Sequence, residues 1–312
     1  MTVPFVLLLL GALTAATAPR LLSRAHWLER EPVLALWIWQ CVVAAVLLCC
    51  VSAMALTASA AWSAVRGHMF ALAPRGVEDA YGLPGYGPWA GVLAVLLALG
   101  GVWTAAMLTR EVRAARARRR QLRAELRVRA PRLPGESGLA GERLLVLEDT
   151  RPDAWWLSGA EPRLVITTAA LRRLKGGGLD AVMEHEQGHV RARHDVLLHC
   201  AGALAGGFPQ VPVFAAFRDQ VHHLVELAAD DTASRRHGRM TTALALVELN
   251  EGRGVFGPCP TPLAEVPGRV QRLLEPAGRL SPASRLGWTV LALLVPAVPL
   301  LVTLGPGLHA LT

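Results

Sequence analysis

Long apolar runs alternate along this chain with stretches dense in charge, and the pattern predicts four membrane-length helices and one large polar insert. Residues 1–18 are uncharged and near spanning length. Ala16-Thr17-Ala18 resembles a signal-peptide cleavage site, yet no Lys or Arg precedes the apolar core and Pro19 follows the would-be cut. The segment therefore reads as a retained helix. A second uncharged run covers 33–57, with Trp37 and Trp39 near one end as interface anchors. A third covers 88–108, with Trp89 and Trp103 toward its ends. The fourth covers 287–302, with Pro296 and Pro299 toward its far end and a tail, 304–312, expected to be too short to fold.

The expected organisation is three transmembrane helices in 1–108, a folded insert over 109–286, and a fourth helix with its tail in 287–312. Within the insert, residues 143–147 and 163–167 read as short strands, with 154–157 as a third between Pro152 and Ser158-Gly159. A short helix over 169–175 precedes the Gly176-Gly177-Gly178 run. The next helix carries Leu179, Val182, Met183 and Val190 at near-helical spacing, and Asp180 is its expected N-cap. Residues 196–217 are apolar but broken by Gly202, Gly206-Gly207, Pro209 and Pro212. They predict a hairpin beside the site, dipping at most into the bilayer surface, rather than a span. Further helices are expected over 221–236, 240–251 and 269–274. The fold class is thus mainly α and integral to the membrane, with a small α+β domain between the third and fourth spans.

Composition sharpens this reading. Hydrophobic residues make up 53% of 312 residues that also include 32 Lys and Arg. Both fit one chain if the two kinds are segregated, as in membrane proteins. The formal charge of +8 concentrates in Arg110, Arg113, Arg116, Arg118, Arg119, Arg120 and the arginines that follow to Arg132, directly after the third apolar run. By the positive-inside rule that stretch is cytoplasmic. Loop 19–32 is then inside, loop 58–87 and both termini are outside, and the insert faces the cytoplasm of a bacterial-type plasma membrane. The lipid bilayer is the expected partner of this apron. A nucleic-acid arm would not need to abut an apolar span, and no DNA-reading module is recognisable, so no direct nucleic-acid contact is expected. Of the five Cys, Cys41, Cys49 and Cys50 sit within an apolar run and Cys200 and Cys259 are isolated, with no Cys-x-x-Cys pair, so neither a disulfide framework nor a Cys-based zinc site is indicated.

The chemistry centres on His185-Glu186-Gln187-Gly188-His189. Residues four apart share a helix face, so the two imidazoles can grip one zinc ion, while Glu186 borders that face and can take a proton from a water polarised by the ion. Such a site needs a third protein ligand and one open position. Glu226-Leu-Ala-Ala-Asp230 supplies Glu226 as that ligand and Asp230, one turn on, as an acceptor that orients an imidazole. His222 and His223 lie one turn before Glu226 and are rival third ligands. One Zn2+ per chain is expected.

Together with Val165-Ile166-Thr167, Asp195 and Arg269-Val270-x-Arg272-Leu273-Leu274, these residues resemble the BlaR/MecR-type (antirepressor) membrane zinc metallopeptidases, relatives of the HtpX-type and prenyl-protein (Ste24-type) gluzincins. The resemblance implies a gluzincin-like domain that hydrolyses peptide bonds of a cytoplasmic protein, a transcriptional repressor or the chain itself, in signal-induced regulatory proteolysis. It implies His185, His189 and Glu226 as metal ligands, Glu186 as general base and acid, and Asp230 behind the ligands. It also makes Val165, Ile166 and Thr167 an edge strand on which an extended substrate adds. The alternatives are membrane-protein quality control of the HtpX type and a non-catalytic zinc-containing receptor; a homodimer is compatible with either role. The family's beta-lactam receptors carry a penicillin-binding domain after the fourth helix, and only a short tail follows here, so that sensing route is not expected. Tyr81 and Tyr86 are the only tyrosines and fall in the outside loop, which leaves Arg235, Arg236 or His237 as candidate oxyanion stabilisers.

Overall fold

The computed structural model describes residues 2–74, 76–83, 86–129, 144–150, 152–157, 163–250, 265–275 and 278–311. It is mostly helical, and its contacts divide it into two compact units. The first holds residues 1–109, 201–219 and 280–312, and the second 110–200 and 220–279. The structure groups residues 201–219, part of the expected insert, with the apolar helices.

The first unit is built on α1 (Thr2–Leu22), α2 (Pro32–Ala61) and α12 (Pro282–His309), with α1 and α12 both packed on α2. Two short helices, α3 (Ser63–Met69) and α4 (Val77–Ala80), lie in the loop that precedes α5 (Trp89–Arg129). Four helices, α1, α2, α5 and α12, are long and apolar enough to cross a membrane. Their outward faces carry large apolar residues such as Leu9, Leu99 and Leu294, while α2 turns Ala35, Ala45, Ala53, Thr57 and Ser59 inward. Thr57 and Ser59 each donate their hydroxyl to a carbonyl one turn back, Ala53 and Ala55, which makes them tolerable in an apolar setting.

Three expectations are corrected here. The third apolar helix does not stop at residue 108; α5 runs on through the arginines to Arg129. Ala, Arg, Leu and Glu are strong helix formers, and no Gly or Pro interrupts 102–129. The C-terminal tail is not unfolded: α12 continues through Pro296, Pro299 and Pro306 to His309, after an N-cap in which Ser281 Oγ accepts from the Ser284 amide. Trp39 is not an interface anchor but fully buried, its ring tilted against Phe217 with centroids 6.4 Å apart. Residues 196–217 do form a helical hairpin, α8 (His194–Gly207) leading into α9 (Pro212–His237). Trp103 Nε1 donates to Gly207 O at its tip, at 2.8 Å.

The second unit holds a three-stranded sheet, β1 (Leu144–Leu147), β2 (Ala154–Leu157) and β3 (Arg163–Thr167), in the order β1-β3-β2. β1 runs parallel to β3, and β2 antiparallel. The strand expected as the sheet's edge, Val165, Ile166 and Thr167, is therefore its centre, hydrogen-bonded on both sides and buried. Its apolar residues reflect burial on both faces, a pattern that edge and central strands of three or four residues can share. On one face Ile166 and Ala154 pack with Ala170 of α6 (Thr168–Arg173), Val182 of α7 (Gly178–Arg191) and Ala245 of α10 (Arg239–Asn250). On the other, Val165, Trp155 and Leu147 meet Leu122 of α5. The sheet thus fixes the back of α7, and α11 (Val266–Leu274) packs on α10. Arg143, Glu251 and the other expected positions beyond these bounds lie outside the described residues.

Candidate metal centre

Helix α7 starts at Gly178 with Gly177 as N-cap, so Asp180 sits inside the first turn, where its charge complements the helix dipole instead of capping. Its buried side is formed by Gly178, Ala181, Val182, Glu184 and Gly188, and Val190 is exposed. A Cβ at Gly188 would meet Ala229 Cα and Thr232 Cβ at 3.5 Å each, ordinary van der Waals distance. The α7 and α9 backbones therefore cross closely at the residue just before His189. Glu184, buried in the same face, accepts from Arg191 at 2.6 Å and from Arg236 of α9 at 2.7 Å, which ties the two helices together.

This crossing brings the two motifs face to face. His185 Nε2 and His189 Nε2 are 3.2 Å apart. Glu226 of α9 stands opposite them, with an oxygen 3.7 Å from His185 Nε2 and the other 3.5 Å from His189 Nε2. One small ion held by nitrogen and oxygen at 2.0–2.2 Å in a tetrahedron would space its ligands about 3.4 Å apart. The three donor atoms fit that spacing, and among the described residues they form the one His/Cys/Asp/Glu cluster able to hold a metal ion. Asp230 places its Oδ1 3.0 Å from His185 Nδ1, so that Nδ1–H donates to the carboxylate and the Nε2 lone pair points at the site. Glu186 is half-buried on α7 beside His185.

The electrostatics agree with a cation site. Burial works against charge on His185, but hydrogen bonds and negative charge from Asp230 and Glu226 outweigh it and raise the pKa to about 10. Burial and the charge on His185 lower His189 to about 3. Two nitrogens so close hold one positive charge between them, not two. Burial opposes the charges of Glu226 and Asp230 as well, yet His185 and Arg269 hold both carboxyls below their usual range.

Two residues of the cluster have no role assigned from sequence: His194 is not singled out, and Arg269 figures only in the motif that carries the resemblance. His194, buried at the start of α8, places its Nδ1 2.9 Å from His189 Nδ1. Burial lowers its pKa to about 4, so it is neutral and can accept the proton of His189 Nδ1–H. Its position depends on Arg193, whose φ of +52° turns the chain sharply between α7 and α8. Arg269 of α11 is buried against Asp230 and Glu226, and its pKa is raised by their charges, which overcome the burial penalty.

Other expected residues are not gathered here. Arg236 is engaged with Glu184, and Arg235 donates to Thr232 at 3.1 Å. His237 ends α9, about 16 Å along the helix axis from Glu226. The rival ligands also fall away: His223 faces Glu265 at 3.3 Å, and His222 is exposed.

Residues 116–249 match the family model of Peptidase family M48. No curated protein and no solved structure matches the chain. The match spans both metal-cluster helices and stops before Arg269. M48 enzymes are zinc metallopeptidases, and the matched segment, together with the His185, His189 and Glu226 cluster, supports a metallopeptidase.

Proposed function

We propose that the chain is a membrane-embedded zinc metalloendopeptidase that cuts a cytoplasmic protein, a transcriptional repressor or itself, in regulatory proteolysis of the BlaR/MecR type. The carrying observation is the meeting of the His185-Glu186-x-x-His189 helix with the Glu226-x-x-x-Asp230 helix at metal-ligand spacing. His185, His189 and Glu226 would hold the ion. When bound, zinc lowers the pKa of a coordinated water from 15.7 toward about 7 and polarises the scissile carbonyl. Glu186 takes one proton from the attacking water on its carboxylate and returns it to the amine nitrogen as the C–N bond breaks. Asp230 and His194 keep the His185 and His189 rings in the Nδ1–H tautomer that leaves each Nε2 free for the ion.

With β3 central, an extended substrate would add to β2, which among the described residues pairs with β3 alone and packs on α7. The four apolar helices support the membrane reading, and the arginines after residue 109 support a cytoplasmic peptidase unit.

The test is fragment accumulation in cells making doubly tagged wild type or Glu186→Gln, blotted alongside candidate repressors. General acid–base catalysis contributes about 10²–10⁴-fold, so the variant should lose fragments while keeping one zinc per chain. Equal fragments from both proteins would refute the mechanism. No fragments from either, with zinc retained, would leave a non-catalytic receptor.

A further inference from the structure

Arg269 is 3% exposed, and its side chain makes charged hydrogen bonds of 2.7 Å to two carboxylates. Its Nε and Nη2 fork onto Oδ2 and Oδ1 of Asp230, and its Nη1 donates to Oε2 of Glu226. One planar group therefore fixes two carboxylates with different tasks. Asp230 is held so that Oδ1 also meets His185 Nδ1 at 3.0 Å. Glu226 is held with Oε2 on the guanidinium and 3.7 Å from His185 Nε2, and with Oε1 free of the guanidinium on the His189 side, 3.5 Å from its Nε2. A guanidinium can do this because its donors are coplanar and set in a fixed fork, whereas an ammonium offers a point charge without that geometry.

We infer that Arg269 is a positioning residue of the metal centre, which makes α11 an integral part of it. Arg269 sets the plane of the Glu226 carboxylate so that this residue ligates through one oxygen, and it braces the Asp230 contact that orients His185. The residue lies beyond the segment matching the M48 model, and it reaches its partners across 39 and 43 positions of sequence. Its neighbour on α11, Arg272, is spent elsewhere, donating to Asp231 at 2.8 Å. The same helix thus supplies an internal control. The inference rests on His185, His189 and Glu226 being the metal ligands.

The experiment uses the full chain in detergent or nanodiscs, with zinc affinity measured by competition against a chromophoric chelator and the cobalt-substituted protein read by its visible spectrum. Arg269→Lys should weaken zinc binding about 10–100-fold, the range expected when a group that supports a ligand is lost. It should also weaken the visible bands of cobalt, as Glu226 swings to two-oxygen ligation and the coordination number rises. Arg272→Lys should leave both within twofold. Unchanged affinity and spectrum in a folded Arg269→Lys would overturn the inference while leaving the metal site standing. Should that variant not fold, X-ray absorption of wild-type zinc protein decides: two oxygens from Glu226 on the metal would overturn it, one would uphold it. Absence of any stoichiometric zinc from wild type would instead sink the proposed function.

Discussion

The apolar unit and the unit that holds the metal cluster invert each other's logic. In the first, large side chains point outward, Leu9 at 70% and Val102 at 68% exposed, and small or hydroxylated residues fill the α2 interface. In the second, apolar residues such as Val165, Ile166 and Leu224 are inside, and so, among the described residues, are five charged or chargeable groups, Glu184, His194, Glu226, Asp230 and Arg269. Exposed leucines are costly in water unless something covers them, and buried charges are costly anywhere unless paired. Each unit breaks the ordinary rule of a soluble domain in one respect, and each breach marks its role. One has an outer surface apolar enough to suit a solvent other than water, and the other keeps in its core polar groups able to hold an ion.

The sharpest way to break this comparison is to place the same charge on an equally exposed leucine in each unit. Leu99, in the middle of the apolar part of α5, and Leu244, on α10, are 59% and 55% exposed. If α5 faces lipid, Leu99→Arg costs about 2.5–3.5 kcal/mol of insertion, whereas Leu244→Arg faces water and stays within about 0.5 kcal/mol. Protease protection and membrane sedimentation of the two variants check this. Normal insertion of Leu99→Arg would remove the membrane reading of that helix.

What the sequence could disclose follows the range of each interaction. The apolar runs and the two motif helices were legible because their signals repeat within a turn or two of helix: His185 and His189 four apart, Glu226 and Asp230 four apart. Strand order was not, since β1 pairs with β3 across the intervening β2, and nothing local tells a central strand from an edge. The extension of α5 was hidden by reading arginine density as a topological signal only, although those residues also favour helix. His194 stood in plain view five residues after His189, off the helical period. It meets His189 only because Arg193 adopts a left-handed turn that carries no glycine or asparagine cue. Arg269 is the extreme case, a contact made across some forty residues.

His194 gives the next prediction by size. Its Nδ1 serves as acceptor for His189 Nδ1–H, and an asparagine side chain can present an oxygen near the same place, whereas phenylalanine cannot. His194→Phe should lower zinc affinity about 10-fold or more, and His194→Asn should restore most of it. Chelator competition on both variants reads the difference, and equal affinities would reduce His194 to a packing residue.

The smallest effect concerns protons and sharpens the account of the second unit, which holds all three imidazoles. When the protein is stripped of metal, His185 carries a proton up to a pKa of about 10, while His189 and His194, at about 3 and about 4, do not at neutral pH. Zinc needs the lone pair of His185, so its binding at pH 7–9 must expel about one proton and no more. The sign follows: apparent affinity rises with pH by about tenfold per unit through this window and levels near the pKa of His185, because above it no proton remains to be displaced. Calorimetry in buffers of different ionisation enthalpy counts the proton directly. Release of two would mean that both ligand imidazoles are charged before binding, which nitrogens 3.2 Å apart do not allow, and release of none would mean that Asp230 and Glu226 do not act on His185 as their contacts imply.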